Sequence, residues 1–338
     1  MRFPWRAALG VLLSAGLLAW ALHGVQWSDV GHNLAGSNAG LWVLSIVASQ
    51  CVFPLRAWRW RPILESAAPD LPFTPLWRAT VIGMMANNVL PGRLGELARA
   101  YTLHREVPSV RFSTGIASLV VDRTFDALVV LTLLAFAMFT PSFRAAAAVG
   151  SSTMGAAILV TSAVVIAAFA VLFTTVFAPA FVENVAGAVT STIAPSWEAR
   201  ARSLVHSLAA GLGALRNPRR FGIVFLWTLV HWLVNAFAHW LGFRAIGIDV
   251  PFTAALFVQG VIVLAVAVPS MPGFIGVFET GAVIALAHYG VVKADALSWA
   301  IVYHGLSFIP VTLLGAWYLA RMGLSLGEIR RAPSVGSA

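Results

Sequence analysis

Pro91-Gly92-Arg93-Leu94-Gly95-Glu96, in the first half of the chain, has a counterpart in the second half: Pro272-Gly273-Phe274-Ile275-Gly276, with Glu279 three residues on. Each Pro-Gly follows an apolar run too short to cross a bilayer, since a core of roughly 30 Å takes about 20 helical residues. Broken apolar segments at matching places in two halves of a membrane chain point to an inverted repeat with a ligand site between the breaks. The expected fold is all-α and integral to the membrane, with six full spans plus two re-entrant helical hairpins arranged as an inverted-topology repeat.

Composition agrees. Hydrophobic residues make up 59% of the 338 and charged ones 10%, against about 25% charged in soluble domains. The formal charge of +9 is what retention of Arg and Lys on the cytoplasmic side produces, and no basic stripe with stacking aromatics points to nucleic acid. The single Cys51 excludes an internal disulfide and a cysteine metal cluster. The segment from Arg2 to Gly24 has the charged start of a leader, but its apolar core is long and Ala21-Leu22-His23-Gly24 makes a poor cleavage site; it reads as an uncleaved first span.

Six stretches are long enough to span: about 6–24, 39–56, 114–140, 154–177, 221–242 and 296–320. The segments near 76–106 and 252–290 remain, each a pair of apolar legs around Pro-Gly. If both are hairpins entering and leaving on one side, 18 arginines fall inside the cell, and Arg144, Arg244 and Lys293 fall outside. If the first leg crossed fully, Arg99, Arg105 and Arg111 would move outside, against the orientation bias. Both termini are then cytoplasmic. The halves, about 1–145 and 150–325, form a single domain in opposite orientations, joined by a connector near 180–219. There Leu204, Leu208, Leu212 and Leu215 share a helical face, with Ser196 as the expected cap. A helix on the membrane surface and a helix packed on the bundle both fit that pattern.

Buried polarity marks the chemistry. Arg93 would open the returning half-helix at the first break, with Glu96 and Arg99 nearly on its face and Asn87 and Asn88 just before it. A charge in the bilayer costs at least about 2.5–3.5 kcal/mol and needs a partner. An arginine beside a helix start suits phosphate or carboxylate, although a structural ion network would use the same residues. In the third span Asp122 and Asp126 lie at i and i+4, with Arg123 beside them. These form either a lock against the arginines or a proton-responsive gate, so proton coupling stays open. Counting Arg93, Arg99 and Arg123 against Glu96, Asp122 and Asp126 gives neutrality. At the second break Pro272 and Gly273 form the tip, and Glu279 takes a proton or bonds a neighbour such as His304 or Tyr303. His231, Asn235 and His239 share one face of the fifth span and are candidates for a polar path; as a metal site they lack an acid partner. No cofactor is expected: the only lysine, Lys293, lies outside any phosphate loop, and there is neither His-Glu-x-x-His nor a nucleophile elbow.

Asn88-Val89-Leu90-Pro91-Gly92-Arg93-Leu94-Gly95-Glu96-Leu97-Ala98-Arg99, then Asp122-Arg123 with Asp126, then Pro272-Gly273-Phe274-Ile275-Gly276 with Glu279, resembles the flippase-like transmembrane family that includes the membrane half of lysylphosphatidylglycerol synthases. Arg56-Ala57-Trp58-Arg59-Trp60 is similar to it as well. The acid before Arg123 is more often glutamate in that pattern, and Phe274 stands where glycine is common. The resemblance implies a lipid translocase of the bacterial inner membrane, moving a charged phospholipid or polyprenyl-linked lipid between leaflets, and no enzyme. The alternative is a membrane-embedded transferase acting on a lipid-linked sugar or headgroup, with Asp122, Asp126 or Glu279 as acid or base. A third reading is a partner subunit of an envelope enzyme, and a homo-oligomer stays open.

Overall fold

The structure is a computed structural model that describes residues 5–65, 68–90, 94–148, 167, 170, 171, 174, 175, 178–193, 217–267 and 270–331. All regular structure among the described residues is helical. In chain order the helices are α1 (Trp5–Leu22), α2 (Trp27–Ala35), α3 (Ala39–Leu64), α4 (Phe73–Val89), α5 (Gly95–Glu106), α6 (Phe112–Phe139), α7 (Pro141–Ala148), α8 (Pro179–Ile193), α9 (Pro218–Ala245), α10 (Phe252–Ala267), α11 (Val277–Ala287), α12 (Lys293–Arg321) and α13 (Leu326–Arg331), with a 3-10 turn at Pro272–Phe274.

Among the described residues three helices are both long and apolar enough to cross a membrane: α3, α9 and α12. Asn38 caps α3 by accepting from the Leu41 N–H at 3.0 Å. Asn217 accepts from Arg219 N–H at 2.9 Å, with Pro218 in the first turn of α9 where its missing N–H costs nothing. α6 is 28 residues long but carries Asp122, Arg123 and Asp126 near its middle. The span expected over 154–177 falls almost wholly outside the described residues, as does the leucine face at 204–215 with Ser196.

Both breaks form where the sequence places them. Leu90 precedes Pro91 and is extended (φ −96, ψ 140), the conformation that a following proline imposes, so α4 stops there. Met271, before Pro272, is extended too (φ −57, ψ 154). The legs then fold back. A side-chain carbon on Gly83 would come within 2.8 Å of the Gly95 carbonyl and 3.0 Å of Arg99 Cβ, so α5 lies against α4. One on Gly281 would meet Ala265 at 3.3 Å and Ile262 at 3.5 Å, so α11 lies against α10.

Helix contacts repeat between the halves. Exchanging α3 with α9, α4 with α10, α5 with α11 and α6 with α12 carries each extensive contact onto another. α3 packs on α9; α4 on α12 answers α10 on α6; α5 on α6 answers α11 on α12; α3 on α4 answers α9 on α10. Two main apolar cores form, one mostly of first-half residues and one mostly of second-half residues with α3 and α6 contributing Trp42, Val129 and Leu133. Trp60, Leu76, Leu103 and Phe125 centre the first, and Phe243, Leu286, Leu297 and Trp299 the second. The end of α4 lies against the second break, where a carbon on Gly273 would lie 3.4 Å from the Asn88 carbonyl.

Candidate functional site

The first-half charges collect on one face of α6, since a spacing of four residues puts Asp122 and Asp126 one helical turn apart. Arg59, fully buried, joins them: its guanidinium lies 2.6 Å from Asp122 Oδ1 and 2.5 Å from Asp126 Oδ1. Arg99 of α5 reaches the other Asp122 oxygen at 3.0 Å and lies 4.0 Å from the centre of the Trp60 ring, while Trp60 itself donates to Ser118 Oγ at 2.9 Å. Asp126 also accepts from Trp232 Nε1 of α9 at 3.0 Å and from Arg123 at 3.2 Å. Arg123 continues to Glu96 at 2.6 Å, at the more exposed edge of the cluster.

Arg56 is the least committed member. It is buried, and its sole carboxylate contact, Asp126 at 3.4 Å, is the longest ion pair of the cluster; its Nε has no hydrogen-bond partner, as is true of Arg59, Arg99 and Arg123. Four guanidinium groups face three carboxylates, so one positive charge is left over among the described residues. Burying such a charge is costly unless a further anion compensates it.

The second-half site is smaller. His304 of α12 places Nδ1 2.6 Å from Glu279 Oε1 and Nε2 2.8 Å from the Gly273 carbonyl. A carbonyl oxygen only accepts, so Nε2 carries a hydrogen; Nδ1 then meets a carboxyl group and one more proton must lie between them. The pair is either imidazolium with carboxylate or imidazole with carboxylic acid. Glu279 Oε2 accepts from Gly276 N–H at 2.6 Å and thereby caps α11. Gly276 is the residue this turn requires: its φ is +87°, and a side chain there would strike the Ser14 carbonyl of α1.

Two clefts flank the place where the end of α4 lies against the second break. An inner cavity of about 200 Å³ lies between α3, α9, α10 and α12, with Arg56, His231, Asn235, His239 and Gln259 on its wall. An apolar groove of about 600 Å³ runs along α1 and α12, with Val89, Ile275, Ile301, Ile309 and Leu313 as its sides and Glu279 and His304 at its floor. Asn88 and Phe308 line both. Asn88 Nδ2 donates to Thr312 Oγ1 at 2.7 Å, and its Oδ1 has no partner.

Among the residues singled out from sequence, Glu96, Arg99, Asp122, Arg123 and Asp126 come together in the first-half cluster. Asn87 stands beside it, accepting from Gly95 N–H at 2.8 Å to start α5. Pro272, Gly273 and Glu279 gather at the second break, and His231, Asn235 and His239 reach the inner cavity. Arg93 lies outside the described residues, as do Pro91 and Gly92. Sequence reasoning missed Arg56 and Arg59 as members of the cluster; their i, i+3 spacing at the end of an otherwise apolar helix was the available signal. It also missed Gln259, the one amide in the apolar α10.

These features define a polytopic helical membrane protein with a polar site buried between two helix breaks. The family model described as "Lysylphosphatidylglycerol synthase TM region" matches residues 7–315, and the chain belongs to that family. It is 27% identical to "Glycosyltransferase AglD" of Haloferax volcanii over 94% of its own length and 54% of that protein, so it spans about half of this relative. It is 26% and 22% identical to two proteins named "UPF0104 membrane protein" from Methanothermobacter thermautotrophicus, covering 85% and 86% of their lengths. The glycosyltransferase match corrects one expectation. Missing hydrolase and ATPase motifs suggested a chain without enzymatic function, but a transferase needs none of them and only one acid–base group in reach of its substrate.

Proposed function

We propose that this chain is a membrane-embedded transferase component that holds a lipid-linked sugar or headgroup, the lipid tail in the groove and the phosphate-bearing head in the inner cavity. The observation that carries the reading is the one positive charge that the cluster leaves over among the described residues, with Arg56, its most distantly paired guanidinium, on the wall of that cavity. A phosphate is the anion that a lipid-linked group brings, and a guanidinium is its best single receptor. Asp122 and Asp126 are tied to Arg59 and are poor acid–base groups. Glu279 with His304, the latter in ring contact with Phe308, which lines both clefts, is the acid–base pair assigned to the headgroup end of the lipid, where groove and cavity adjoin. The match to a glycosyltransferase supports this class of reaction, carried out alone or with a partner enzyme.

A second reading, leaflet exchange of the same lipid, is favoured by the matching contacts of the two halves, with both clefts at their junction. It rests on the two broken helix pairs being re-entrant from opposite faces with both termini cytoplasmic, as the arginine distribution suggests. Mass spectrometry of lipids from a deletion strain separates the two. Transfer predicts loss of one modified lipid and accumulation of its precursor. Exchange predicts an unchanged inventory with a shifted leaflet distribution. If inventory and distribution both stay as in the parent strain, neither reading survives.

A further inference from the structure

We infer that the inner cavity selects an uncharged, hydroxyl-rich headgroup, such as a hexose on a lipid phosphate, and rejects an aminoacyl cation. This deepens the proposed lipid-phosphate site and rests on Arg56 as the phosphate receptor. Four observations carry it. First, no carboxylate lines the cavity among the described residues, and the one charged group on its wall is Arg56. An ammonium headgroup would enter a buried site that already holds a positive charge and offers no counter-ion, which is how an unpaired charge discriminates between ligands.

Second, the polar groups beyond Arg56 are neutral and unspent. Asn235 Nδ2 donates to Gln259 Oε1 at 2.8 Å, which fixes that amide and leaves Gln259 Nε2 with no acceptor. His239 Nδ1 has no partner either. Gln259 and His239 are 1% and 3% exposed, so the protein itself leaves both unmatched inside the membrane. Buried polar groups without partners carry a penalty that a ligand of matching pattern removes. Hydroxyls, which donate and accept, fit an amide donor and an imidazole together.

Third, the remaining wall is apolar, with the aromatic side chains of Phe274, Phe278 and Tyr303 among the groups that line it. Apolar surface with a few fixed polar groups is the usual make-up of a specific small-molecule site. Fourth, about 200 Å³ admits a headgroup and not a pair of acyl chains, for which the neighbouring groove of about 600 Å³ has room.

The test is native mass spectrometry of the full chain in detergent micelles. It is titrated with three probes: a prenyl-phosphate hexose, the bare prenyl phosphate and lysylphosphatidylglycerol. The hexose lipid should bind about tenfold more tightly than the bare phosphate, the gain expected of one or two new hydrogen bonds. Lysylphosphatidylglycerol should bind most weakly. Gln259→Leu should bring the hexose lipid to the level of the bare phosphate without changing the latter. Gln259→Glu, nearly the same shape, should strengthen the lysyl lipid relative to the hexose lipid, and it carries the test should the leucine variant fail to fold. Arg56→Gln should weaken both prenyl phosphates by the same factor. Equal binding of hexose and bare phosphate, or a preference for the lysyl lipid, overturns the headgroup assignment and leaves the phosphate site standing. Failure of all three probes removes the phosphate site, and with it the inference.

Discussion

Arg56 and Arg59 stand three residues apart on α3 and have opposite positions in the same cluster. Arg59 is the shared partner of two buried aspartates, so its removal leaves two carboxylates short of their nearest cation. Breaking a buried ion pair from one side costs about 3–5 kcal/mol. Arg59→Leu is therefore expected to lower the thermal midpoint of the detergent-solubilised protein by many degrees, and Arg59→Lys to recover little, because an ammonium cannot fork to both acids. Arg56→Gln removes only the 3.4 Å contact, while Asp126 keeps Arg59, Arg123 and Trp232. Its midpoint should stay close to wild type while phosphate-lipid binding falls. Equal destabilisation by the two substitutions would show that Arg56 is a structural member of the cluster with no charge to spare. The aspartates were legible in the sequence because acids inside an apolar helix need a buried partner, whether as a lock or as a gate. The arginines were not: at the end of a span they read as ordinary cytoplasmic charge, and Asp126 lies 67 residues from Arg59.

At the scale of elements, the hairpins depend on a few positions without side chains. A carbon on Gly95 would come within 2.3 Å of the Gly83 carbonyl and of Asn87 Cγ, both on α4. Gly95→Ala should push α5 off α4, with a loss of about 1–3 kcal/mol typical of overpacking, read as a lowered thermal midpoint. Gly222→Ala, where nothing lies within 4 Å, is the matched control and should be silent. The fold-back of α11 on α10 is checked by a cross-link. With Cys51 replaced by Ser, cysteines at Ala265 and Gly281 have β-carbons close to disulfide range, from the 3.3 Å contact there. Mild oxidation should join them and give a gel shift after proteolysis between the two positions. A pair that stays reduced would mean that the second break does not return the chain. The Pro-Gly pairs were readable because proline dictates the residue before it, as Leu90 and Met271 show. A ligand site between the two breaks was the expectation from repeat logic; the approach of Gly273 to Asn88 is seen only in the structure, and no local pattern carries it.

For the whole molecule, the contact pattern is carried onto itself when α3–α6 are exchanged with α9–α12, and, if the halves are a repeat, the decisive question is how the axis relating them lies in the bilayer. An axis in the membrane plane turns one half over, so the hairpins enter from opposite faces and their tips meet inside. An axis along the normal leaves both hairpins on one face. The arginine distribution favours the first, since it keeps Arg99, Arg105 and Arg111 inside while Arg244 and Lys293 fall outside. Single cysteines at exposed positions flanking each hairpin distinguish the cases: Pro69 and Ser109 for the first, Asp249 and Val292 for the second. In a Cys51→Ser background, an impermeant thiol reagent added to intact cells should label Asp249→Cys and Val292→Cys. It should reach Pro69→Cys and Ser109→Cys only after the membrane is opened. Labelling of all four from one side would place the axis along the normal, and labelling of Pro69 and Ser109 from opposite sides would make the first pair of legs a true crossing. Asn88 and Gly273 approach each other whichever way that axis lies; only an in-plane axis turns the two halves over relative to one another, which leaflet exchange requires and transfer does not.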